Sequence, residues 1–385
     1  MNLKLPVYLD YHATTPVDRR VFEAMRPYFS EIFGNAASAT HPFGWQAEEA
    51  VRQARSQVVQ LINASDPKEI VWTSGTTESI NLALIGVATV YRDKGNHLIT
   101  CVTEHRAVLD TMKYLEGKGF RVTYLPVDQN GLVDPDEIRK AITGKTILVS
   151  LMAANNEVGT IHPIAEVGKI TKEKAIFFHV DGAQSCGKIP IDVQSMGIDL
   201  LSMSAHKVYG PKGIGALYIR SRDPHVRVAP LIHGGGHEGG LRAGTLPVQN
   251  IVGMGKAFEI AGQGMEEEAI RVMRLRDNLK EGIVKQLDDV FLNGHPTQRL
   301  SGNLNLSFLG VKAGDLMMKM RDIAVSSGSA CTSGSLEPSY VILALGVGEE
   351  RARSSIRFGL GRFTTEEEID FAVEKTVEAV RTLRK

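Results

Sequence analysis

A lysine that follows an apolar strand pattern is the first candidate for chemistry in this chain. Residues 200–203 are apolar for the most part and lead into the run SAHKVYGPKG at 204–213, which holds Lys207 before a Gly/Pro-rich turn. A lysine at the end of a buried strand can lose its proton and form a Schiff base with a carbonyl compound. Ser204 and His206 directly before it could hold a phosphate group. Taken alone, the run is more typical of a surface lysine in a strand-to-turn connection.

A second polar motif ends another apolar strand pattern upstream. Residues 179–184 read HVDGAQ, so Asp181 and Gln184 follow one another closely. An aspartate there can face a pyridinium nitrogen and keep it protonated, which makes the ring an electron sink, and Gln184 can donate to a phenolate oxygen. An aspartate that caps the next helix is the alternative. Both motifs together favour a lysine that carries pyridoxal phosphate.

A glycine flanked by hydroxyl residues indicates an anion site. Residues 73–79, TSGTTES, follow a predicted strand and open a predicted helix, with Thr76 and Thr77 at its start. Backbone N–H groups at a helix start, together with hydroxyls, bind phosphate well. An ordinary helix cap needs only one of those hydroxyls, so the pattern favours phosphate.

Three further side chains could contact a flat cofactor or its substrate. His105 follows a predicted strand, where it could stack on a ring and move protons, although a lone histidine is more often structural. Asn155 also follows a strand and could reach a ring oxygen or a carboxylate, or form a turn. Arg357 lies inside an apolar strand pattern, which suits either a substrate carboxylate or a buried ion pair.

A cysteine surrounded by small residues is the candidate nucleophile. Residues 326–335, SSGSACTSGS, place Cys331 in a predicted loop that we expect to be mobile and accessible. An accessible thiol suits a nucleophile that must travel. Cys101 and Cys186 follow strand-like patterns, so we predict that both are structural.

Composition excludes several classes of function. The 385 residues contain 44 basic and 44 acidic side chains, which argues against a general nucleic-acid or anionic-membrane binder. The three cysteines form neither a disulfide framework nor a zinc motif, and they suit a reducing compartment. We find no signal peptide and no apolar run long enough to span a bilayer, so we expect a cytoplasmic protein without a bound metal.

Alternating apolar runs and amphipathic stretches from residue 69 to 220 predict an α/β fold with a mostly parallel central sheet. Ligands of such sheets bind beyond the carboxyl ends of the strands, where the candidate residues fall. A helix is predicted over 246–261 and a second, charged one over 265–286. Strands near 303–308 and 355–359 and a last helix opening at 364–368 predict a smaller α+β domain at the C-terminus.

These motifs together resemble the cysteine desulfurases, which are fold-type I pyridoxal phosphate transferases related to the class V aminotransferases. The resemblance runs from YLDYHATT at 8–15 to RFGLGRF at 357–363, and SSGSAC at 326–331 is similar to the housekeeping branch that serves iron–sulfur assembly. It implies a large cofactor-binding domain over 15–262. A small domain over 1–14 and 263–385 would carry the cysteine loop.

The resemblance also implies a role for each candidate. Lys207 would bind the cofactor covalently and shift protons, His105 would stack on its ring, and Cys331 would attack the sulfur of L-cysteine and keep it as a persulfide. The expected cofactor ligands are Thr76, Thr77, Asn155, Asp181, Gln184, Ser204, His206 and Thr245, the last reaching the phosphate of a neighbouring subunit in a homodimer. Asn155 and Arg357 would bind the substrate carboxylate.

The expected products are L-alanine and sulfur for an acceptor protein such as an iron–sulfur scaffold, with transfer-RNA thiolation as another route. Selenocysteine lyase or another class V pyridoxal phosphate enzyme is the alternative. Gly239 stands where the family usually has arginine, which puts a partner or dimer contact in doubt. Longer family members continue beyond the position of Lys385 into a tail that docks the scaffold protein, so scaffold binding is less firmly implied than desulfurase chemistry.

Overall fold

A central β-sheet organises the larger part of this computed structural model, which describes residues 3–327 and 338–385. The N-terminal segment contributes β1 (Val7–Tyr8), α1 (Arg19–Met25), α2 (Pro27–Ser30) and α3 (Pro42–Ile62). The strands of the central sheet are β2 (Ile70–Thr73), β3 (His97–Cys101), β4 (Arg121–Leu125), β5 (Thr146–Met152), β6 (Phe177–Asp181), β7 (Leu200–Ser204) and β8 (Gly215–Ile219). Their order across the sheet is β2-β8-β7-β6-β5-β3-β4. Only β8 runs antiparallel to its neighbours among these described strands, so the predicted mostly parallel α/β sheet is confirmed.

Helices cover both faces of this sheet, and the strands are apolar for that reason. The helices that follow β2 to β5 are α4 (Thr76–Tyr91), α5 (Arg106–Glu116), α6 (Pro135–Ala141) and α7 (Ile164–Glu173). Successive strand residues point to opposite faces. Trp72 belongs to the apolar cluster that includes residues of α3, α6 and α7, whereas its neighbour Val71 belongs to the cluster that includes residues of α4 and α5.

A single long helix, α8 (Val248–Val284), joins the two parts of the chain. The prediction of two helices over 246–261 and 265–286 is therefore wrong. Gly262 and Gly264 lie between the two predicted helices, but a glycine inside a helix costs only about 1 kcal/mol relative to alanine. Both ends of α8 are anchored, because Phe258 lies in the core of the central sheet and Leu275 in the core of the C-terminal part.

The C-terminal part surrounds a small antiparallel sheet. Its elements are β9 (Val290–Leu292), β10 (Asn303–Phe308), α9 (Ala313–Lys319), β11 (Ile323–Ala324), α10 (Tyr340–Ala344), α11 (Glu349–Arg353), β12 (Ser355–Gly359) and α12 (Glu366–Leu383). The strand order is β12-β10-β9, and β1 pairs in parallel with β11. The N-terminal strand thus packs with the C-terminal part, and the domain limits 15–262, 1–14 and 263–385 stay a prediction.

The carboxyl ends of β2, β3, β5, β6 and β7 lie along one edge of the central sheet, since these strands run in the same direction. Nearly all candidate residues directly follow these strand ends. None of the helices among the described residues is both long and apolar enough to cross a membrane.

Candidate active site

A cavity of about 540 Å³ opens at this edge of the sheet. It brings together most of the side chains that the sequence predicted, from both ends of the chain. The predicted residues that line it are Thr76, Thr77, His105, Asp181, Gln184, Ser204, His206, Lys207 and Arg357. Its lining also includes His12, Asn156, Lys212 and Tyr340, which were not predicted.

Lys207 ends a short 3₁₀ turn that directly follows β7. Its Nζ donates hydrogen bonds to the backbone carbonyls of His12, at 2.8 Å, and Ala13, at 2.7 Å. Thr14 Oγ1 lies 3.1 Å from His206 Nδ1, and this contact holds the imidazole ring next to Lys207. Burial and the positive charge of Lys207 lower the pKa of His206 to about 4, so this imidazole is neutral at neutral pH.

Asp181 is the last residue of β6 and is only 5% exposed. Its Oδ1 accepts a hydrogen bond from the Ala183 N–H at 2.9 Å. Burial raises the pKa of Asp181, and this hydrogen bond and the charges of His105 and Lys207 oppose that rise. The carboxyl group therefore suits a ligand that brings its own positive charge.

The start of α4 is suited to an anion. Among the described residues, no side chain caps the Gly75 end of this helix, and none forms a hydrogen bond with the buried Oγ1 of Thr76. Gly215 of β8 allows the turn to lie this close to the sheet, since a Cβ there would sit 2.7 Å from Gly75 Cα. Free N–H groups, the helix dipole and an unused hydroxyl are the features that bind a phosphate.

His105 caps α5, and its Nδ1 accepts a hydrogen bond from the Ala107 N–H at 3.1 Å. The ring is therefore oriented by its own helix while it lines the cavity. Glu104 before it is fully buried, accepts a hydrogen bond from the Met152 N–H at 2.7 Å, and has a pKa that burial raises well above its usual value. The hydroxyl of Tyr340 donates to the Glu104 carbonyl at 2.7 Å and joins α10 to this side of the cavity.

Asn155 does not line the cavity in this arrangement. Its Oδ1 accepts hydrogen bonds from the N–H groups of Glu157, at 2.8 Å, and Val158, at 3.0 Å, and its Nδ2 donates to the Thr103 carbonyl at 3.0 Å. These bonds are those of a turn, which was the alternative in the sequence. The neighbouring Asn156 lines the cavity, and its buried Oδ1 has no hydrogen-bond partner within the part of the chain that the structure describes. The predicted contacts of Asn155 with cofactor and substrate stay predictions.

Arg357 lies in β12 and is 1% exposed. Its Nη2 contacts Asp10 Oδ1 at 2.8 Å, and its Nη1 donates to the Asn156 carbonyl at 2.8 Å. Both interpretations of this arginine are thus compatible with the structure, since it forms a buried ion pair and also lines the cavity.

Gln184 connects the cavity to two residues that the sequence did not single out. Its Nε2 donates to the His12 carbonyl at 2.9 Å, and its Oε1 lies 3.1 Å from both His12 Nδ1 and Lys188 Nζ. Burial lowers the pKa of His12 well below its usual value. Burial and the charge of Lys207 lower the pKa of Lys188 to about 7, and Glu268 opposes that shift.

The remaining predicted residues lie elsewhere. Thr245 is exposed and does not line the cavity. Cys101 and Cys186 are free and buried, and burial raises the pKa of each thiol to about 12, so their predicted structural role is confirmed. Cys331 lies outside the described residues.

Comparisons with known proteins identify the family of this chain. A family model described as aminotransferase class-V matches residues 7–371. The chain belongs to this family. A cysteine desulfurase IscS of Anaeromyxobacter sp. (strain K) is 58% identical over 382 residues, which are 99% of this chain and 94% of the relative. One of Rickettsia peacockii (strain Rustic) is 55% identical over 383 residues, 100% of this chain and 93% of the relative.

Two solved structures share the fold at substantial identity. A NifS-like protein superposes with a TM-score of 0.91 at 40% identity, covering 98% of this chain and 99% of its own. A structure described as SspA in complex with cysteine superposes with a TM-score of 0.81 at 39% identity, covering 93% and 100%. The predicted membership among the class V relatives is therefore confirmed.

Proposed function

We propose that this chain is a cysteine desulfurase that uses pyridoxal phosphate to move sulfur from L-cysteine to Cys331 and then to an acceptor protein. The observation that carries the proposal is the meeting of Lys207, Asp181 and Arg357 in one cavity beside an uncapped helix start. An amine, a buried carboxylate and a guanidinium are the groups that an amino-acid-converting pyridoxal site requires.

The residues present fit pyridoxal phosphate. The unpartnered Oγ1 of Thr76 and the N–H groups that open α4 would hold its phosphate together with Thr77, Ser204 and His206. Asp181 would bind the ring nitrogen, His105 would stack on the ring, and Gln184 would bind the ring oxygen. When bound, the cofactor supplies an electron sink for the substrate's α-carbon.

The protein's own groups perform the remaining tasks. Arg357 binds the carboxylate of L-cysteine, which orients the amino acid in the cavity. Lys207 holds and returns a proton at the α-carbon of the substrate. The Cys331 thiolate attacks the substrate sulfur, so that an S–S bond forms and the C–S bond breaks. The carbon fragment takes up a proton and leaves as L-alanine.

We also propose a homodimer in which Thr245 contributes to the neighbouring cofactor site. Thr245 is exposed, and its neighbour Arg242 is fixed by an ion pair of 2.9 Å to Glu78 in the first turn of α4. This ion pair ties the loop of Thr245 to the helix that opens the cavity. Sulfur for iron–sulfur cluster assembly is the proposed use of the persulfide, delivered to a scaffold protein.

Sulfide and alanine release from L-cysteine tests the proposal directly. The protein loaded with pyridoxal phosphate should yield alanine in proportion to cysteine, with sulfide released when a reductant is added. Cys331→Ala should lose sulfide release and keep the cofactor absorption, whereas Cys186→Ala serves as the matched control and should stay active. Sulfide production by Cys331→Ala at the unchanged rate would contradict the proposed nucleophile, and a higher rate with selenocysteine than with cysteine would favour the lyase.

A further inference from the structure

The carboxamide of Gln184 has three of its four hydrogen-bonding positions occupied by protein. One oxygen lone pair faces Lys188 Nζ at 3.1 Å, and the other faces His12 Nδ1 at 3.1 Å. One N–H donates to the His12 carbonyl at 2.9 Å. An amide group offers two donors and two acceptors, so a single N–H is left. Gln184 lines the cavity, and that remaining donor is the one it can offer there.

The surroundings permit only one orientation of this amide. Turning it by 180° would place the NH₂ group against the amine of Lys188 and the carboxamide oxygen against the carbonyl oxygen of His12. Since burial keeps His12 neutral, its Nδ1 carries the proton that Gln184 Oε1 accepts. Lys188 and His12 therefore act together on the same oxygen.

Lys188 is positioned for this contact by the backbone. Two tight turns follow Asp181. In the first, the Cys186 N–H donates to the Gly182 carbonyl at 3.0 Å, and in the second, the Lys188 N–H donates to the Ser185 carbonyl at 2.9 Å. Within residues 3–327 and 338–385, the amine of Lys188 has no carboxylate within 4 Å. Its hydrogen-bond partner there is Gln184.

Lys207 and Arg357 repel the charge of Lys188, and Glu268 attracts it. A partly buried amine is costly when its charge is not neutralised. Among the described residues, the close polar contact of this amine is the carboxamide oxygen of Gln184 at 3.1 Å, so the amine and the amide hold each other in place.

We propose that Lys188 is a positioning residue that acts on the reaction through Gln184, by holding the carboxamide with an N–H directed to the cavity. The inference rests on the proposed function, in which that N–H donates to the negatively charged ring oxygen of pyridoxal phosphate. Such a donor stabilises the oxygen anion and so favours the deprotonated form of the bound chromophore.

The test is a pH titration of the visible absorption of the loaded protein, which does not depend on turnover. Lys188→Met should raise the pKa of the bound chromophore by about one unit, because a hydrogen bond to a charged group is lost. Lys188→Arg keeps a charge and N–H donors and should titrate close to the wild type. Lys188→Gln provides a second neutral variant, with a rise in the same direction. Thermal unfolding of each variant checks that the fold is retained.

A double-mutant cycle with Gln184→Leu distinguishes an effect of Lys188 that is transmitted through the Gln184 amide from a direct effect of the Lys188 charge on the chromophore. If Lys188 acts through Gln184, Lys188→Met should shift the chromophore pKa much less in the Gln184→Leu background than in the wild type. Equal shifts in both backgrounds, or no shift in the wild-type background, would overturn the inference. A wild-type protein that binds no pyridoxal phosphate would instead contradict the proposed function itself.

Discussion

Asp181→Asn is the substitution that most sharply separates the proposed cofactor role from a structural role. Asparagine keeps the shape of the side chain, and its Oδ1 can still accept the Ala183 N–H bond of 2.9 Å. The fold should therefore persist while the negative charge is lost. What the site loses is the attraction between that charge and a protonated ring nitrogen.

Burial decides how large this loss is. Two unit charges about 4 Å apart attract by about 1 kcal/mol in water but by about 4 kcal/mol at the effective dielectric constant of 20 that suits protein sites. Asp181 is 5% exposed, so the larger value applies. A loss of about 4 kcal/mol corresponds to about a thousandfold lower rate, against about fivefold for an exposed carboxylate.

The assay is the rate of alanine formation from L-cysteine by loaded protein, with bound cofactor quantified separately. Asp199→Asn is the matched control, because Asp199 is a buried carboxylate at the opposite edge of the same sheet, paired with Arg220 at 3.2 Å. That control should lower stability by about 3 kcal/mol, since a buried partner is left unpaired, and keep the rate per folded molecule. Asp181→Asn within about tenfold of the wild-type rate would refute the reasoning, because one charge-assisted contact is worth more than that.

The other predictions concern the phosphate turn, acid stability and a helix cap. Gly215→Ala should weaken cofactor binding at least about tenfold, since a lost hydrogen bond to a charged phosphate costs about 1.5–3 kcal/mol. Equilibrium dialysis measures the affinity, with Gly144→Ala, which has open space around it, as the control. Burial lowers the pKa of His179 to about 3, below its unfolded value, so its contribution to stability should be lost as pH falls below about 6.5. His179→Asn should reduce the slope of unfolding free energy against pH between about 4.5 and 6 by about 1.4 kcal/mol per unit, measured by urea unfolding, and an unchanged slope would contradict this. Thr365→Ala removes the capping box of α12 and should cost about 1 kcal/mol of unfolding free energy, whereas the exposed Thr382→Ala should cost less.

Much of the fold could be predicted from the sequence because apolar runs alternate with amphipathic stretches. The strands Ile70–Thr73, Arg121–Leu125 and Thr146–Met152 lie within that predicted alternation, and polar or turn-forming residues bound each of them. Residues 262–264 separate the two helices that were predicted in place of the continuous helix α8. Gly262 and Gly264 lie there, and the packing at both ends of the helix outweighs their cost.

Part of the candidate site could likewise be predicted from the sequence, and part could not. Lys207, Asp181 and Thr76 were found because side chains that follow parallel strands meet at one sheet edge. Asp10, His12 and Lys188 could not be assigned a place in the site, because they come from an N-terminal segment and a tight turn that tertiary packing brings against residues of the cavity such as Arg357, Lys207 and Gln184. Neither segment has a periodicity from which its position could be derived.

Mass spectrometry of Cys331 after exposure of the loaded protein to L-cysteine shows whether this thiol takes the substrate sulfur. We expect the peptide carrying Cys331 to gain one sulfur atom, in an amount matched by the alanine formed in a single turnover. Lys207→Ala should abolish both the added sulfur and the alanine. Alanine release without added sulfur on Cys331, or sulfur added instead to Cys101 or Cys186, would contradict the account.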